Sequence, residues 1–357
     1  MIFAVSPKNI AYNKTKGETY WREKMNKLNY YFEMVKKVRL PFIIPKAWNY
    51  LKYRIFRKLP IVKCYTPQIV SVMLINRCNL QCDYCGFVKD GLFKQPKHEM
   101  TLEIIKKIFS HKLCKNSLLV DLLGGEPLLC KDFIHIVKFL STNGYLTNTS
   151  TNGLLLANHI KELKDAGITR INVSIYPENL EILKISLPRI NKIYQVHTSY
   201  VLTKTILENN RQYISDIIDF AVGSGCKSLR FWMYRPLGID KKSDEVIMGD
   251  SSAYKEFKAE IIEKYGKFIL WPQVVVSDIQ EKKCTQPWQR TNVAVDGSIA
   301  LCCGDISNIE NVNLFKSSFE EIFNCEQIME IRSNLLNNSV PPLEVCKNCN
   351  LLTESGW

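Results

Sequence analysis

Residues 68–238 repeat two patterns of apolar and polar positions in regular alternation. One is a short apolar run rich in β-branched residues, typical of a buried strand, and the other places apolar residues at i, i+3 and i+4, typical of a helix packed on a core. The strand-like runs are Ile69–Ile75, Leu118–Leu123, Leu146–Ser150, Ile171–Ile175, Val196–Leu202 and Ser228–Tyr234. The helix-like stretches between them are Leu102–Phe109, Phe133–Leu140, Ile160–Ala166, Leu180–Ile185 and Tyr213–Val222. This alternation predicts six βα units in one parallel sheet with helical crossovers.

The length of this segment limits how the sheet can close. A closed eight-unit barrel needs about 250 residues, more than residues 68–238 supply. We therefore expect an α/β fold with a partial (β/α)6 TIM-like barrel. In such sheets the catalytic groups lie at the carboxyl ends of the strands.

The pattern changes beyond the predicted barrel. Residues 239–283 predict a linker with one helix, Ser252–Tyr265. The segments Asn292–Val295 and Ser298–Cys302 flank Asp296-Gly297, which predicts a hairpin with a two-residue turn, followed by one or two short helices. We expect residues 284–357 to form a small α+β domain that a metal centre stabilises, because its core is small.

Composition indicates a globular protein: 46% of the 357 residues are hydrophobic and 23% are charged. No apolar run approaches the roughly 18 residues of a membrane-spanning helix. Lys8, Lys14 and Lys16 near the start, without an apolar core, argue against a secretory signal. The expected location is cytoplasmic.

Most of the net charge of +13 belongs to one segment, because residues 1–67 hold 15 Lys and Arg against 3 Asp and Glu. The rest of the chain holds 33 against 32, which does not favour a nucleic-acid partner. Aromatic and basic residues mix in Val38–Pro60. We consider three roles for this N-terminal extension: packing across the barrel, contact with a membrane surface, or docking of an anionic lipid-linked or carrier-linked substrate.

Thirteen cysteines in a chain without a secretory signal favour metal or redox chemistry over disulfides. Cys78, Cys82 and Cys85 have the spacing Cx3Cx2C and directly follow the first predicted strand. Three thiols on one loop suit an iron–sulfur cluster whose fourth iron keeps an open position. A zinc site completed by a distant residue is the alternative.

This cysteine loop resembles that of the radical S-adenosylmethionine (radical SAM) superfamily. The resemblance implies that Cys78, Cys82 and Cys85 hold a [4Fe-4S] cluster, that S-adenosylmethionine chelates the fourth iron, and that Tyr84 packs near the adenine. Leu123-Gly-Gly-Glu-Pro127 matches the family's GGEP motif. The motif assigns Gly124, Gly125, Glu126 and Pro127 to the methionyl group, where glycine lets the backbone approach the ammonium and the carboxylate complements its charge.

Two further strand ends resemble the family less closely. Ser150-Thr-Asn-Gly153 is similar to its TNG segment and assigns Asn152 to the cofactor. Val173-Ser-Ile-Tyr176 stands where many members read VSID, so that Ser174 is expected to bind the ribose or carboxylate, whereas Tyr176 departs from the acidic residue. Both segments could also be plain strand caps.

A second cysteine set resembles the auxiliary-cluster domains called SPASM and twitch. Its members are Cys284, Cys302, Cys346 and Cys349, with Gly297 in the hairpin. The resemblance implies one auxiliary [4Fe-4S] cluster with every iron ligated, and a zinc site is the alternative. Cys303 and Cys325 are interpreted as buried apolar residues. The alternative for Cys303 is a catalytic role as a hydrogen-atom donor.

The resemblance implies a reaction. A radical SAM enzyme cleaves S-adenosylmethionine reductively to a 5′-deoxyadenosyl radical, which abstracts hydrogen from a substrate. We expect oxidation or epimerisation of a small polyol, sugar or aminoglycoside-like molecule, free or carrier-linked, with electrons from flavodoxin or ferredoxin. The alternatives are a peptide-modifying SPASM-type maturase and a non-catalytic zinc-binding regulatory protein.

Overall fold

The computed structural model describes residues 40–56, 62–63, 66–82, 85, 98–234, 243–271, 284–294, 296–300 and 312–339. The strands are β1 Ile69–Met73, β2 Leu119–Leu123, β3 Leu146–Thr151, β4 Arg170–Ser174, β5 His197–Leu202, β6 Leu229–Met233, β7 Ile269–Leu270, β8 Arg290–Val293 and β9 Ile299–Ala300. The helices are α1 Leu40–Phe56, α2 Leu102–Ser110, α3 Lys112–Lys115, α4 Phe133–Thr142, α5 Leu156–Asp165, α6 Pro177–Ile193, α7 Lys204–Asn209, α8 Arg211–Gly223, α9 Ser252–Tyr265, α10 Gln286–Gln289, α11 Phe319–Phe323 and α12 Glu326–Leu336.

The described strands form one sheet in the order β7-β6-β5-β4-β3-β2-β1-β8-β9. Strands β1 to β7 pair in sequential order, and every pairing among them is parallel. Because such crossovers are right-handed, sequential order places the connecting helices on the same face of the sheet. The predicted α/β partial barrel is confirmed, with β7 as an additional short strand at one edge.

The two faces of the sheet differ in polarity. On the outer face, beneath the helices, Val70, Val72, Val120 and Leu122 are fully buried in the hydrophobic core. Alternate residues of the strands point to the opposite, inner face, where polar side chains are common. This inner face is the concave surface above which a barrel enzyme holds its substrate.

The hairpin within residues 284–357 extends the barrel sheet, because β8 pairs in parallel with β1 and β9 pairs antiparallel with β8. The predicted two-residue turn was wrong. The N–H of Ala294 donates to the carbonyl of Ser298 (2.9 Å) and that of Gly297 donates to Ala294 (3.0 Å), which closes a longer turn. Gly297 has a φ of +83°, typical of the left-handed residue of a three-residue hairpin.

Within the described part of the chain, no helix is long and apolar enough to cross a membrane. Helix α1, in the N-terminal extension, packs on the protein through its buried Tyr53.

Candidate functional site at the carboxyl edge of the sheet

The structure brings most of the predicted site residues to one edge of the sheet. Cys78, Cys82 and Cys85 follow β1, Gly124–Pro127 follow β2, Asn152 follows β3, and Ser174 ends β4. Because these four strands are parallel, their carboxyl ends meet at this edge. Tyr84 lies outside the described residues.

The cysteine loop is joined to the turn after β2 by main-chain hydrogen bonds. The N–H of Gly125 donates to the carbonyl of Ile75 (2.8 Å), and that of Glu126 donates to Arg77 (2.9 Å). A Cβ on Gly124 would collide with the backbone of Ile75, and one on Gly125 with that of Arg77. The sequence interpretation assigned these glycines to the cofactor alone. The structure shows that they are also needed for the close approach of the cysteine loop.

Glu126 connects the ends of β2 and β3. Its carboxylate is 1% exposed and accepts hydrogen bonds from Thr151 Oγ1 (2.7 Å), the Asn152 N–H (2.8 Å) and the Leu128 N–H (3.1 Å). Burial raises the pKa of this carboxyl, and the three hydrogen bonds oppose that rise. A cation placed beside Glu126 would favour the ionised form, as the GGEP resemblance implies for the methionyl ammonium.

Asn152 contacts the cysteine loop directly. Its Nδ2 donates to Oδ1 of Asn79 (2.7 Å) and lies 3.8 Å from Sγ of Cys78. The same sulfur lies 3.4 Å from the N–H of Leu80. Two donors therefore face Cys78, and hydrogen bonds to a ligating sulfur tune the potential of an iron–sulfur cluster.

Sequence reasoning missed Asn179, a fully buried residue at the start of α6. Its Nδ2 donates to the carbonyls of Asn152 (2.7 Å) and Ser174 (2.8 Å), while its Oδ1 accepts from the N–H of Tyr176 (2.8 Å). It therefore holds the ends of β3 and β4 together. Its position three residues after Tyr176, with Pro177 between them, is a capping-box position that could have indicated the last of these contacts.

Among the described residues no three metal-binding side chains stand close enough to hold an ion, so Cys78, Cys82 and Cys85 suit an iron–sulfur cluster by their chemistry and their spacing along the chain. Burial raises the pKa of Cys82 to about 12, with smaller contributions from Glu178, Cys85 and Cys78. Burial is also the main cause that raises the pKa of Cys78. Thiols that resist ionisation in the free loop become thiolates when iron supplies the compensating charge.

A cavity opens at the carboxyl ends of β4 and β5, next to the helices that follow them. It has a volume of about 310 Å³ and is lined by Tyr176, Pro177, Tyr200, Val201, Ile206, Asn210 and Tyr213. Burial raises the pKa of Tyr176 to about 12, followed by the effect of nearby Cys82, and the side chain of Ser174 opposes this rise. Tyr176 is thus a neutral group just after the end of β4.

Of the second cysteine set, the structure describes Cys284, which is half-buried just before α10. Cys302, Cys303, Cys346 and Cys349 lie outside the described residues. Cys284 precedes β8 and therefore lies toward the amino edge of the sheet, and β9 runs back toward that edge. The four residues of β8 extend over about 13 Å, which is the distance along this strand from the amino edge, where Cys284 lies, to the carboxyl edge.

A buried arginine, also missed by sequence reasoning, anchors the C-terminal region. Arg332 of α12 is fully buried and donates through Nε (3.0 Å) and Nη2 (2.8 Å) to the carbonyl of Pro287 in α10. Its Nη1 donates to the carbonyl of Val62 (2.9 Å) and to Oδ1 of Asn324 (3.0 Å). Cys325, half-buried, is the N-cap residue of the same helix.

Known proteins resemble this chain in both sequence and fold. GTP 3′,8-cyclase of Peptoclostridium acidaminophilum is 26% identical over 68% of this chain and 82% of its own length. Molybdenum cofactor biosynthesis protein moc-5 of Caenorhabditis elegans is 27% identical over 56% of this chain, but only 35% of its own length is covered. Streptococcus suis SuiB bound to precursor peptide SuiA shares the fold, with a TM-score of 0.60, 14% identity, and coverage of 81% of this chain and 70% of SuiB.

Two family models match the chain, and together they extend over most of it. Residues 72–222 match the radical SAM superfamily, and residues 284–350 match the SPASM iron–sulfur cluster-binding domain. The first range contains the cysteine loop and the GGEP turn, and the second contains all four cysteines of the second set. These matches favour iron–sulfur clusters and S-adenosylmethionine over the zinc alternatives. The chain belongs to the radical SAM superfamily and is an enzyme with a SPASM-type auxiliary cluster domain.

Proposed function

We propose that this radical SAM enzyme abstracts a hydrogen atom from a hydroxyl-rich small molecule, such as a polyol, sugar or aminoglycoside-like compound, and oxidises or epimerises it. The proposal is based on the polar inner face of the barrel. Asn172 Nδ2 donates to Ser199 Oγ (2.8 Å), which lies 3.4 Å from Ser174 Oγ. Hydroxyl and amide groups side by side can exchange hydrogen bonds with the hydroxyls of such a substrate.

Positive charge also lies on the inner face, toward the amino ends of β4, β5 and β6, and it supports an anionic group on a substrate that extends down from the carboxyl edge. Asp121 is paired with Arg290 (2.7 Å) and accepts from Asn148 (3.3 Å). The pKa of His197 on β5 is lowered to about 3, first by burial and then by the charges of Arg170, Lys227 and Arg230. A phosphate of a carrier-linked sugar would be stabilised in this field.

The carboxyl-edge residues are assigned to the cofactor as follows. Cys78, Cys82 and Cys85 hold the first [4Fe-4S] cluster, and the turn Gly124–Pro127 orients the methionyl group. Asn152, Ser174 and Tyr84 complete the S-adenosylmethionine site. When bound, cluster and cofactor supply a radical able to abstract hydrogen. The chain itself orients the reacting groups and excludes water.

Cys284, Cys302, Cys346 and Cys349 are assigned to one auxiliary cluster. With every iron ligated, such a cluster exchanges electrons and does not bind substrate, and this favours dehydrogenation over epimerisation. If Cys303 instead donates a hydrogen atom, turnover in deuterated water would place deuterium in the product and Cys303→Ala would abolish turnover. No solvent deuterium and an active variant would support dehydrogenation.

The substrate class can be tested on reconstituted, reduced enzyme with substrates deuterated at carbon. Transfer of deuterium into 5′-deoxyadenosine from a sugar, a sugar nucleotide or a polyol supports the proposal. Arg170→Gln with Arg230→Gln should raise KM for the phosphorylated compounds more than for their neutral counterparts. Transfer from a peptide alone would refute the proposal and support the maturase alternative.

Nucleotide cyclisation is a second candidate. Relatives that cover the chain well are named GTP 3′,8-cyclases, and a triphosphate would also suit the positive inner face. The same assay with deuterated GTP distinguishes the two, because only a cyclase would transfer deuterium from GTP and convert it to a cyclised product.

A further inference from the structure

Helix α1 packs on the protein through a side that includes two polar residues, Lys46 and Asn49. Lys46, Asn49 and Tyr53 are buried on this side. Lys46 Nζ donates to the carbonyl of Ser117 (2.8 Å) and lies 3.3 Å from the centroid of the Tyr145 ring, and Asn49 Nδ2 donates to the carbonyl of Asn116 (3.1 Å). These contacts fix the rotation of the helix about its axis.

The opposite side of α1 is an apolar stripe formed by Ile44, Trp48, Leu51 and Ile55. Their exposed fractions are 72%, 58%, 46% and 49%. The spacing i, i+4, i+7 and i+11 places all four within an arc of about 60°. An aligned row of four large exposed side chains marks a site of interaction more often than isolated apolar residues do.

Charge identifies the occupant of this stripe. Residues 1–67 carry 15 Lys and Arg against 3 Asp and Glu, and α1 itself contains neither Asp nor Glu. Lys52 Nζ lies 5.6 Å from the Trp48 ring centroid, beside the stripe. Symmetric pairing with a second copy would bring two such positively charged segments together, whereas an anionic surface complements them.

We propose that α1 docks on the surface of a bilayer containing anionic phospholipid, with the apolar stripe inserted below the headgroups and the basic residues at headgroup level. Trp beside Lys on a helix lying in the membrane plane is the arrangement that interfacial anchors use. The 17 residues of α1 would lie along about 26 Å of the surface. The proposal does not rest on the substrate proposed above.

Co-sedimentation of the full-length, cluster-loaded enzyme with vesicles tests this docking. We expect binding to phosphatidylcholine vesicles that contain phosphatidylglycerol, weaker binding to phosphatidylcholine alone, and a decrease with salt. Trp48→Ser with Leu51→Ser should lower the partition coefficient at least tenfold, since both substitutions replace a large apolar side chain that would lie below the headgroups. Ile182→Ser with Ile185→Ser, on exposed positions of α6, is the matched control and should bind like wild type.

A second readout locates the contact. Brominated lipid should quench part of the tryptophan fluorescence, and Trp48→Phe should abolish that part while vesicle binding is retained. Absence of wild-type binding to anionic vesicles would overturn the proposal, as would equal loss in the control variant. A dimer in sedimentation velocity that only the stripe variant disrupts, without vesicle binding, would assign the stripe to a second copy.

Discussion

The two regions that carry the predicted cluster ligands are assembled by different means. At the carboxyl edge, consecutive strand ends are joined by main-chain bonds and by the buried polar groups Glu126, Asn152 and Asn179. The C-terminal region continues the sheet through β8, which pairs with β1, and is further held by the buried Arg332 and by a contact between His111 Nε2 and the Ser317 carbonyl (3.1 Å). The first site therefore rests on consecutive strand ends that are bonded to one another, whereas beyond its hairpin the C-terminal region is held by side-chain contacts between residues far apart in the chain.

The largest effect is expected at the close approach of the two loops. Gly125→Ala should displace the cysteine loop, because the new Cβ would overlap the carbonyl of Arg77 and backbone cannot move aside as a side chain can. We expect iron content to fall by about half and S-adenosylmethionine binding to be lost, as measured by iron analysis and equilibrium dialysis. Gly223→Ala, where a Cβ meets nothing within 4 Å, is the control. Normal binding in Gly125→Ala would show that the junction is not rigid.

The next largest effect concerns Arg332. Arg332→Leu leaves the carbonyls of Pro287 and Val62 without this donor, so we expect a loss of stability of about 3 kcal/mol within the C-terminal region. Hydrogen exchange of α11 and α12 should accelerate while S-adenosylmethionine binding persists. Arg332→Lys keeps the charge but not the planar guanidinium group, and its stability should lie between those of the wild type and of Arg332→Leu. If Arg332→Leu also lost S-adenosylmethionine binding, the carboxyl edge and the C-terminal region would not behave independently.

The difference between the carboxyl edge and the C-terminal region also determined what could be predicted from the sequence. The cysteine loop and the GGEP turn directly follow strands, so their spacing and the hydropathy pattern were enough to place them together. Asn179 and Arg332 bond to residues 27 and 45 positions away, and such partners are determined by packing. The orientation of α1 was also unpredictable, because Lys46 and Asn49 are buried whereas Ile44 and Trp48 are exposed, the reverse of the usual pattern.

A smaller effect is expected at the buried amide that joins β3 to β4. Asn179→Ala removes three hydrogen bonds and should weaken S-adenosylmethionine binding about tenfold while the cluster is retained. A changed paramagnetic resonance signal of the reduced cluster would accompany this, because Asn152 beside Cys78 shifts. Asn191→Ala is the matched control, since Asn191 bonds Ser224 (2.8 Å) and Val196 (2.8 Å) far from the site. Should both variants weaken binding equally, the effect would be one of general stability.

The smallest effect is expected in the hairpin of the C-terminal region. Gly297 has a φ of +83°, and a Cβ there would meet the ring of Phe315, whereas Gly266, at +53°, has nothing within 4 Å. Gly266→Ala should therefore report the cost of its own backbone conformation (φ +53°, ψ −122°) without a clash, about 1–3 kcal/mol, whereas Gly297→Ala should add the displacement of the ring to its own backbone cost. Thermal unfolding of both variants measures the difference. Because an aromatic side chain can rotate where the carbonyl opposite Gly125 cannot, Gly297→Ala should keep its iron. If it lost iron as Gly125→Ala is expected to, the C-terminal hairpin would be as tightly built as the carboxyl edge, and the contrast between the two regions would not hold.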